Sequence, residues 1–162
     1  MKAKYIKSDA VRALEDMAFK ANKEKYPNFP YPVKVKYRDD TANGLTRCII
    51  DYLRFNGCQA ERINTTGRPI DERQVVSDVA GHQRQIGSVR WIRGTGTNGS
   101  ADISATIHGQ SVKIEVKIGR DSQSDAQRRY QSDIERAGGI YYIAKNFADF
   151  AKWYKSKFFS NG

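Results

Sequence analysis

The chain has 162 residues, enough to bury a core without disulfide or metal staples. Its 39% hydrophobic and 28% charged residues are those of an ordinary globular domain, and no run of about 18 apolar residues occurs, so no membrane span is expected. A formal net charge of +10 sets up a field that favours polyanions, namely DNA, RNA or an acidic membrane surface.

Ser8 caps a helix predicted through about Lys25, with Val11, Leu14, Met17 and Ala18 on one face. The segment Pro27 to Pro32 breaks it. The alternation from Val33 to Tyr37 reads as a short strand. Thr41 or Asn43 then opens a second helix to about Phe55. Leu45, Ile49, Tyr52 and Leu53 form its apolar stripe, and Gly57 stops it. Gln59 to Ile63 reads as a strand. Thr65 to Gly87 is polar and irregular, a long connection of the kind that is often functional or mobile. Val89 to Ile92 reads as another strand, and Gly94 to Ser100 as a glycine-rich turn. Ala101 to Ile118 reads as two strands joined at His108–Gly109–Gln110–Ser111. Ser124 starts a helix that ends at Gly138–Gly139. Ile140 to Ala144 is a short buried strand, and Asn146 caps a last aromatic helix through about Phe158. This order predicts an α/β domain, a small mixed sheet flanked by helices. Residues 1–40 form an N-terminal helix and extension, and 41–162 form the core domain.

The hairpin is the most informative stretch. With Gly109–Gln110 as a two-residue turn, Ile103 pairs with Val116, Ala105 with Ile114 and Ile107 with Val112, so one face is wholly apolar. On the other face Asp102 lies opposite Lys117 and Ser104 opposite Glu115. Asp102 and Glu115 are then diagonal neighbours, close enough to share an ion. Phosphodiester hydrolysis needs an activated water and neutralised phosphoryl charge, and Mg2+ or Mn2+ on carboxylate oxygens supplies both. Lys117 is a candidate to stabilise that charge, or to orient or activate the water. Alternating charges on a hairpin are equally the mark of a plain solvated face, where an Asp102–Lys117 pair contributes little.

The residues Gly99-Ser-Ala-Asp102 followed by Glu115-Val-Lys117 resemble the PD-(D/E)XK nuclease superfamily, whose core places an Asp at one strand and Glu-x-Lys on the next. Ser124-Asp-Ala-Gln127 and Gly138-Gly139-Ile140 are similar to its VRR-NUC branch and to Holliday-junction resolvases, which include single-domain phage and bacterial members. The resemblance covers about Leu45 to Tyr154. It implies a restriction-endonuclease-like core with an extra N-terminal helix. It also implies a Mg2+- or Mn2+-dependent endonuclease for branched, flap or junction DNA. Asp102 and Glu115 would bind the metal, the Val116 carbonyl would be a third ligand, and Lys117 and Gln127 would complete the catalytic set. A homodimer is implied as well, because a junction needs two cuts. Gln127 has a second reading, since Ser124-x-x-Gln127 is also a capping box. Family members often carry a carboxylate in the helix before the first core strand. Here Thr41-Ala-Asn43-Gly44 has none, which leaves Asn43 as a substitute metal ligand or as an N-cap. Two alternatives stand beside the nuclease. One is a nuclease-like module that binds nucleic acid without cutting it. The other is a basic phage structural or assembly protein.

Gly94-Thr-Gly96-Thr-Asn-Gly99 matches the dinucleotide fingerprint in letters only, because a strand follows where that motif needs a helix. Cys48, Cys58, His82 and His108 lack zinc-ligand spacing. The two cysteines read as reduced thiols of a cytoplasmic protein. Arg62, Arg68, Arg93, Thr95, Asn98 and Ser124 are candidate nucleic-acid contacts, phosphate contacts in the case of the arginines. Trp91, Phe147, Phe150, Trp153 and Tyr154 read as core packing rather than base stacking.

Overall fold

A computed structural model describes residues 5–64, 67–92, 94 and 96–159. The chain divides into two compact units, Met1–Ile63 with Gly99–Gly162, and Asn64–Asn98. It is an α/β protein with a mixed sheet flanked by helices, as its element order predicts.

In the first unit, helix α1 (Asp9–Lys25) starts at Ser8, whose hydroxyl accepts from the Val11 N–H. Val11, Leu14 and Ala18 recur at helical spacing and are buried. Helix α2 (Ala42–Phe55) is capped by Thr41, not Asn43. The Thr41 hydroxyl accepts from the Gly44 N–H at 3.1 Å. Leu45, Ile49, Tyr52 and Leu53 form its buried stripe as expected. Val33 to Tyr37, expected as a strand, belongs to no sheet. Its backbone is held by side chains of α1 instead. Glu15 accepts from the Tyr37 N–H at 2.8 Å, and Asn22 donates to the Val33 carbonyl at 3.2 Å.

The central sheet has four strands in the order β1 (Gln59–Arg62), β6 (Ile103–Ile107), β7 (Gln110–Val116), β8 (Ile140–Ala144). The first three are antiparallel. Strand β8 runs parallel to β7, which the crossover through helix α3 (Asp125–Arg136) permits. One face carries Ala60, Ile103, Ala105, Ile107, Val112, Ile114 and Val116, all buried in a single core with α1, α2 and helix α4 (Phe147–Phe159). Phe147, Phe150 and Tyr154 surround Tyr52 edge-on at 5.3–6.3 Å, which is the core role expected of these aromatics.

The hairpin register differs from the expected one by two residues. Ile103 pairs with Ile114, Ala105 with Val112 and Ile107 with Gln110, so His108–Gly109 is the turn. His108 (φ 47°) and Gly109 (φ 80°) both adopt the left-handed region that a primed two-residue turn requires. The His108 ring also packs on Phe158 and Phe159. A slip of two keeps every side chain on its face, so apolar alternation alone could not separate the two registers.

The second unit is built of two-stranded ribbons. Strand β2 (Arg68–Asp71) pairs with β5 (Val89–Ile92), and β3 (Gln74–Ser77) with β4 (Gln83–Ile86). The segment read as irregular therefore holds three strands. No apolar alternation marks them, because no face of β3 or β4 is buried. Trp91, expected in a core, is 61% exposed.

Candidate active site

Asp102 stands just before β6. Its carbonyl accepts from the Ile63 N–H at 2.8 Å, which extends the β1 ladder by one step. Continuing the β6–β7 register by one residue sets Asp102 across from Glu115, a closer relation than the diagonal expected. Asp102 Oδ2 accepts from the Val116 N–H at 2.9 Å, so the backbone of β7 orients this carboxylate. The approach to Asp102 depends on Gly99 (φ 79°). A Cβ there would meet the Ala126 backbone carbonyl carbon at 2.4 Å, so glycine lets this segment lie against the first turn of α3.

Glu115 projects from the C-terminal end of β7 and is only 2% exposed. Its Oε1 accepts from Gln127 Nε2 at 2.5 Å and from Lys117 Nζ at 3.1 Å. Its Oε2 is buried and has no hydrogen-bond partner among the described residues. Burial, then the charge of Asp102, pushes the Glu115 carboxyl above the ordinary glutamate range, against the pull of Lys117.

Lys117 follows β7, tied to β8 by its N–H on the Ala144 carbonyl at 2.9 Å. Burial would lower its ammonium, but pairing with Glu115 and with Asp121 outweighs burial and raises it. Lys117 Nζ also donates to Gln127 Oε1 at 3.1 Å and lies 3.4 Å from Asp121 Oδ2. Asp121 is returned toward it by a turn in which the Asp121 N–H donates to the Ile118 carbonyl.

Gln127 fills both roles left open for it. Its Oε1 accepts from the Ser124 N–H at 2.9 Å while the Ser124 hydroxyl accepts from the Gln127 N–H, a complete capping box. The same amide reaches Glu115 and Lys117. The capping geometry is thus what aims the side chain at the strand.

The other candidate residues are placed less centrally. Ser124 is engaged in the cap. Asn43 lies in the first turn of α2, where its Oδ1 accepts from Arg62 Nη2 at 2.9 Å. The two therefore hold one another, on the sheet face that carries Ile103. Arg68 and Asn98 belong to the second unit. Arg93 and Thr95 lie outside the described residues.

Sequence reasoning missed Asp121 and Tyr141. The first had a signal, its spacing four residues beyond Lys117. Tyr141 pairs with Lys113 and so shares the face of Glu115. Its hydroxyl is buried without a hydrogen-bond partner among the described residues. Burial, then the Glu115 charge, pushes it up to about 12, while Gln123 pulls weakly the other way without closing a bond of normal geometry.

Among the described residues no group of three or more His, Cys, Asp or Glu side chains is arranged to hold a metal ion. The centre is a carboxylate pair, one member with an orphaned buried oxygen, beside an ammonium held by a glutamine. Neither protein-family models nor curated proteins match this chain. No helix among the described residues is long and apolar enough to cross a membrane.

Proposed function

We propose that the chain is a metal-dependent nuclease that hydrolyses DNA phosphodiester bonds, of the PD-(D/E)XK type and similar in pattern to the VRR-NUC branch. The observation that carries this reading is Glu115 Oε2. A buried carboxylate oxygen without a partner among the described residues costs about 1–3 kcal/mol, and catalytic and ion-binding sites are among the places where such groups occur. Glu115 lies across the hairpin from Asp102, and such an oxygen donor set fits a hard cation, Mg2+ or Mn2+. Asp102 and Glu115 would hold the ion, with the Val116 carbonyl as a further ligand. When bound, the ion supplies charge neutralisation for the phosphoryl group and a more acidic water.

The chain's own residues do the rest. The Val116 N–H fixes the Asp102 carboxylate in place. Pairing with Glu115 and Asp121 favours the charged form of Lys117, which suits it to donate to phosphoryl oxygens. Gln127 holds both Glu115 and Lys117, which removes rotamer freedom from each. Branched or flapped DNA as substrate, and a homodimer making paired cuts, extend the same resemblance.

A second reading draws on the carboxylate count. With a pair rather than a trio, the domain would bind nucleic acid without cutting it. One experiment separates the two. Single-stranded, duplex, flap and four-way-junction DNA are incubated with the protein in Mg2+, Mn2+ or EDTA. Cutting that requires the metal supports the nuclease. Salt-sensitive binding with no product under any metal supports the binding module.

A further inference from the structure

The second unit follows one register throughout. Arg68 pairs with Ile92 and Asp71 with Val89, then Gln74 pairs with Ile86 and Ser77 with Gln83. Between them the Glu72 N–H donates to the Ser88 carbonyl at 3.1 Å, so the ladder passes from base strands to tip strands. At about 3.3 Å per residue, Arg68 to Ser77 spans about 30 Å.

Every residue from Asp71 to Trp91 is exposed, including Val75 at 62%. A two-stranded ribbon wet on both faces is marginal by itself. Its apolar side chains call for a surface to lie against.

The charges select that surface. The three acidic residues between Asn64 and Asn98 are Asp71, Glu72 and Asp78. Asp71 pairs with Arg73 and Glu72 with Arg90. Asp78 accepts from the Ala80 and His82 N–H groups in the tip turn. Arg68 at the base and Arg84 near the tip have no carboxylate partner among the described residues. A second copy of the ribbon would bring the same two arginines and no free carboxylate to meet them. A polyanion is the complementary partner.

We propose that this ribbon is a DNA-duplex-binding arm, with Arg68 and Arg84 on backbone phosphates and the tip in the major groove. A two-stranded ribbon fits a groove about 12 Å wide, and its span approaches one helical turn of about 34 Å. Gln74 shares the ribbon face of Arg84, and its amide is of the kind that contacts base edges. The deep, narrow major groove of A-form RNA does not admit such a ribbon. The inference rests on the nucleic-acid reading above for its class of partner, and not on the chemistry.

The test is equilibrium binding of the full chain to DNA and RNA duplexes of about two helical turns in EDTA, from about 50 to 200 mM salt. Arg68→Gln/Arg84→Gln is compared with wild type and with Lys152→Gln/Lys155→Gln, which removes equal charge from the exposed side of α4. Each phosphate contact contributes about 0.9 to the logarithmic salt slope, so the arm variant should lose about 2 from the slope on DNA, with the control unchanged. Melting temperatures equal to wild type would show that the variants are folded. An unchanged slope in the arm variant, an equal loss in the control, or an arm effect seen on RNA alone overturns the proposal. So does sedimentation in which the wild type dimerises and the arm variant does not, with DNA affinity equal in both. Because no metal is present, duplex binding that depends on the arm stands even if the protein never cuts. Metal-dependent cutting with an unchanged slope leaves the nuclease standing and removes the arm.

Discussion

Gln127 donates its amide to the buried Glu115 carboxylate at 2.5 Å while the oxygen of the same amide closes the cap of α3. A capping role alone would be served as well by glutamate, the commoner residue at this position of a capping box. The Glu115 contact forbids it, because a second carboxylate would face a buried one. Gln127→Ala should therefore cost about 2 kcal/mol, from a lost cap interaction and a Glu115 oxygen left bare. Gln127→Glu should cost more than Gln127→Ala at neutral pH. Urea unfolding of both variants decides the order. Equal stability of Gln127→Glu and wild type would mean that the residue only caps.

Asp102 and Glu115 oppose one another in the metal-free protein. Folding raises the Glu115 pKa, so the native state binds this proton more tightly than the unfolded chain, and stability falls as pH rises through the raised value. Asp102→Asn removes the second cause of the shift and keeps an oxygen for the Val116 N–H. In EDTA at neutral pH it should raise stability by about 1 kcal/mol, or Tm by about 2–4 °C. The gain should vanish in acid, where Glu115 is protonated in both proteins. Mg2+ should raise the Tm of the wild type and not of the variant. Thermal melts across pH, with and without the metal, check both parts. A metal response that persists in Asp102→Asn would remove Asp102 from the ligand set.

Glu15 provides an independent pH signature in the fold. Burial would raise its pKa, but Lys7 at 2.6 Å and the Tyr37 N–H outweigh burial and lower it. A lowered folded value contributes stability that is present above the ordinary glutamate range and lost as pH falls through the lowered value. Glu15→Gln should cost about 1–2 kcal/mol at neutral pH and nothing below that window. Chemical denaturation at neutral and strongly acidic pH gives the difference. A cost independent of pH would assign Glu15 a packing role instead.

The core was legible because its period was clean. Leu45, Ile49, Tyr52 and Leu53 announced α2, and the alternation of Ile103, Ala105 and Ile107 with Val112, Ile114 and Val116 announced a hairpin with one buried face. That alternation placed Asp102, Glu115 and Lys117 together on the other face in either register, which is why the site survived a register shifted by two. The shift itself depended on His108 tolerating a positive φ, a preference too weak to read from one residue. Val33 to Tyr37 alternated like a strand, but its backbone is met by Glu15 and Asn22, and a single sequence does not display such long-range side-chain contacts. Val89 to Ile92 was read as a strand, but β3 and β4 were missed for the opposite reason. Exposed on both faces, they leave no hydrophobic period behind.

We propose Asp102, Glu115 and Lys117 as a centre for phosphodiester hydrolysis. The most direct test is the single-turnover cleavage rate of one DNA substrate in Mg2+, measured for wild type, Lys117→Ala and Lys152→Ala. Lys117 is the buried ammonium held by Glu115 and Gln127, whereas Lys152 is exposed on α4. The wild type should cut, Lys152→Ala should cut at an equal rate, and Lys117→Ala should lose about 100-fold or more. No cutting by the wild type on any substrate, or Lys117→Ala cutting at the wild-type rate, would contradict it.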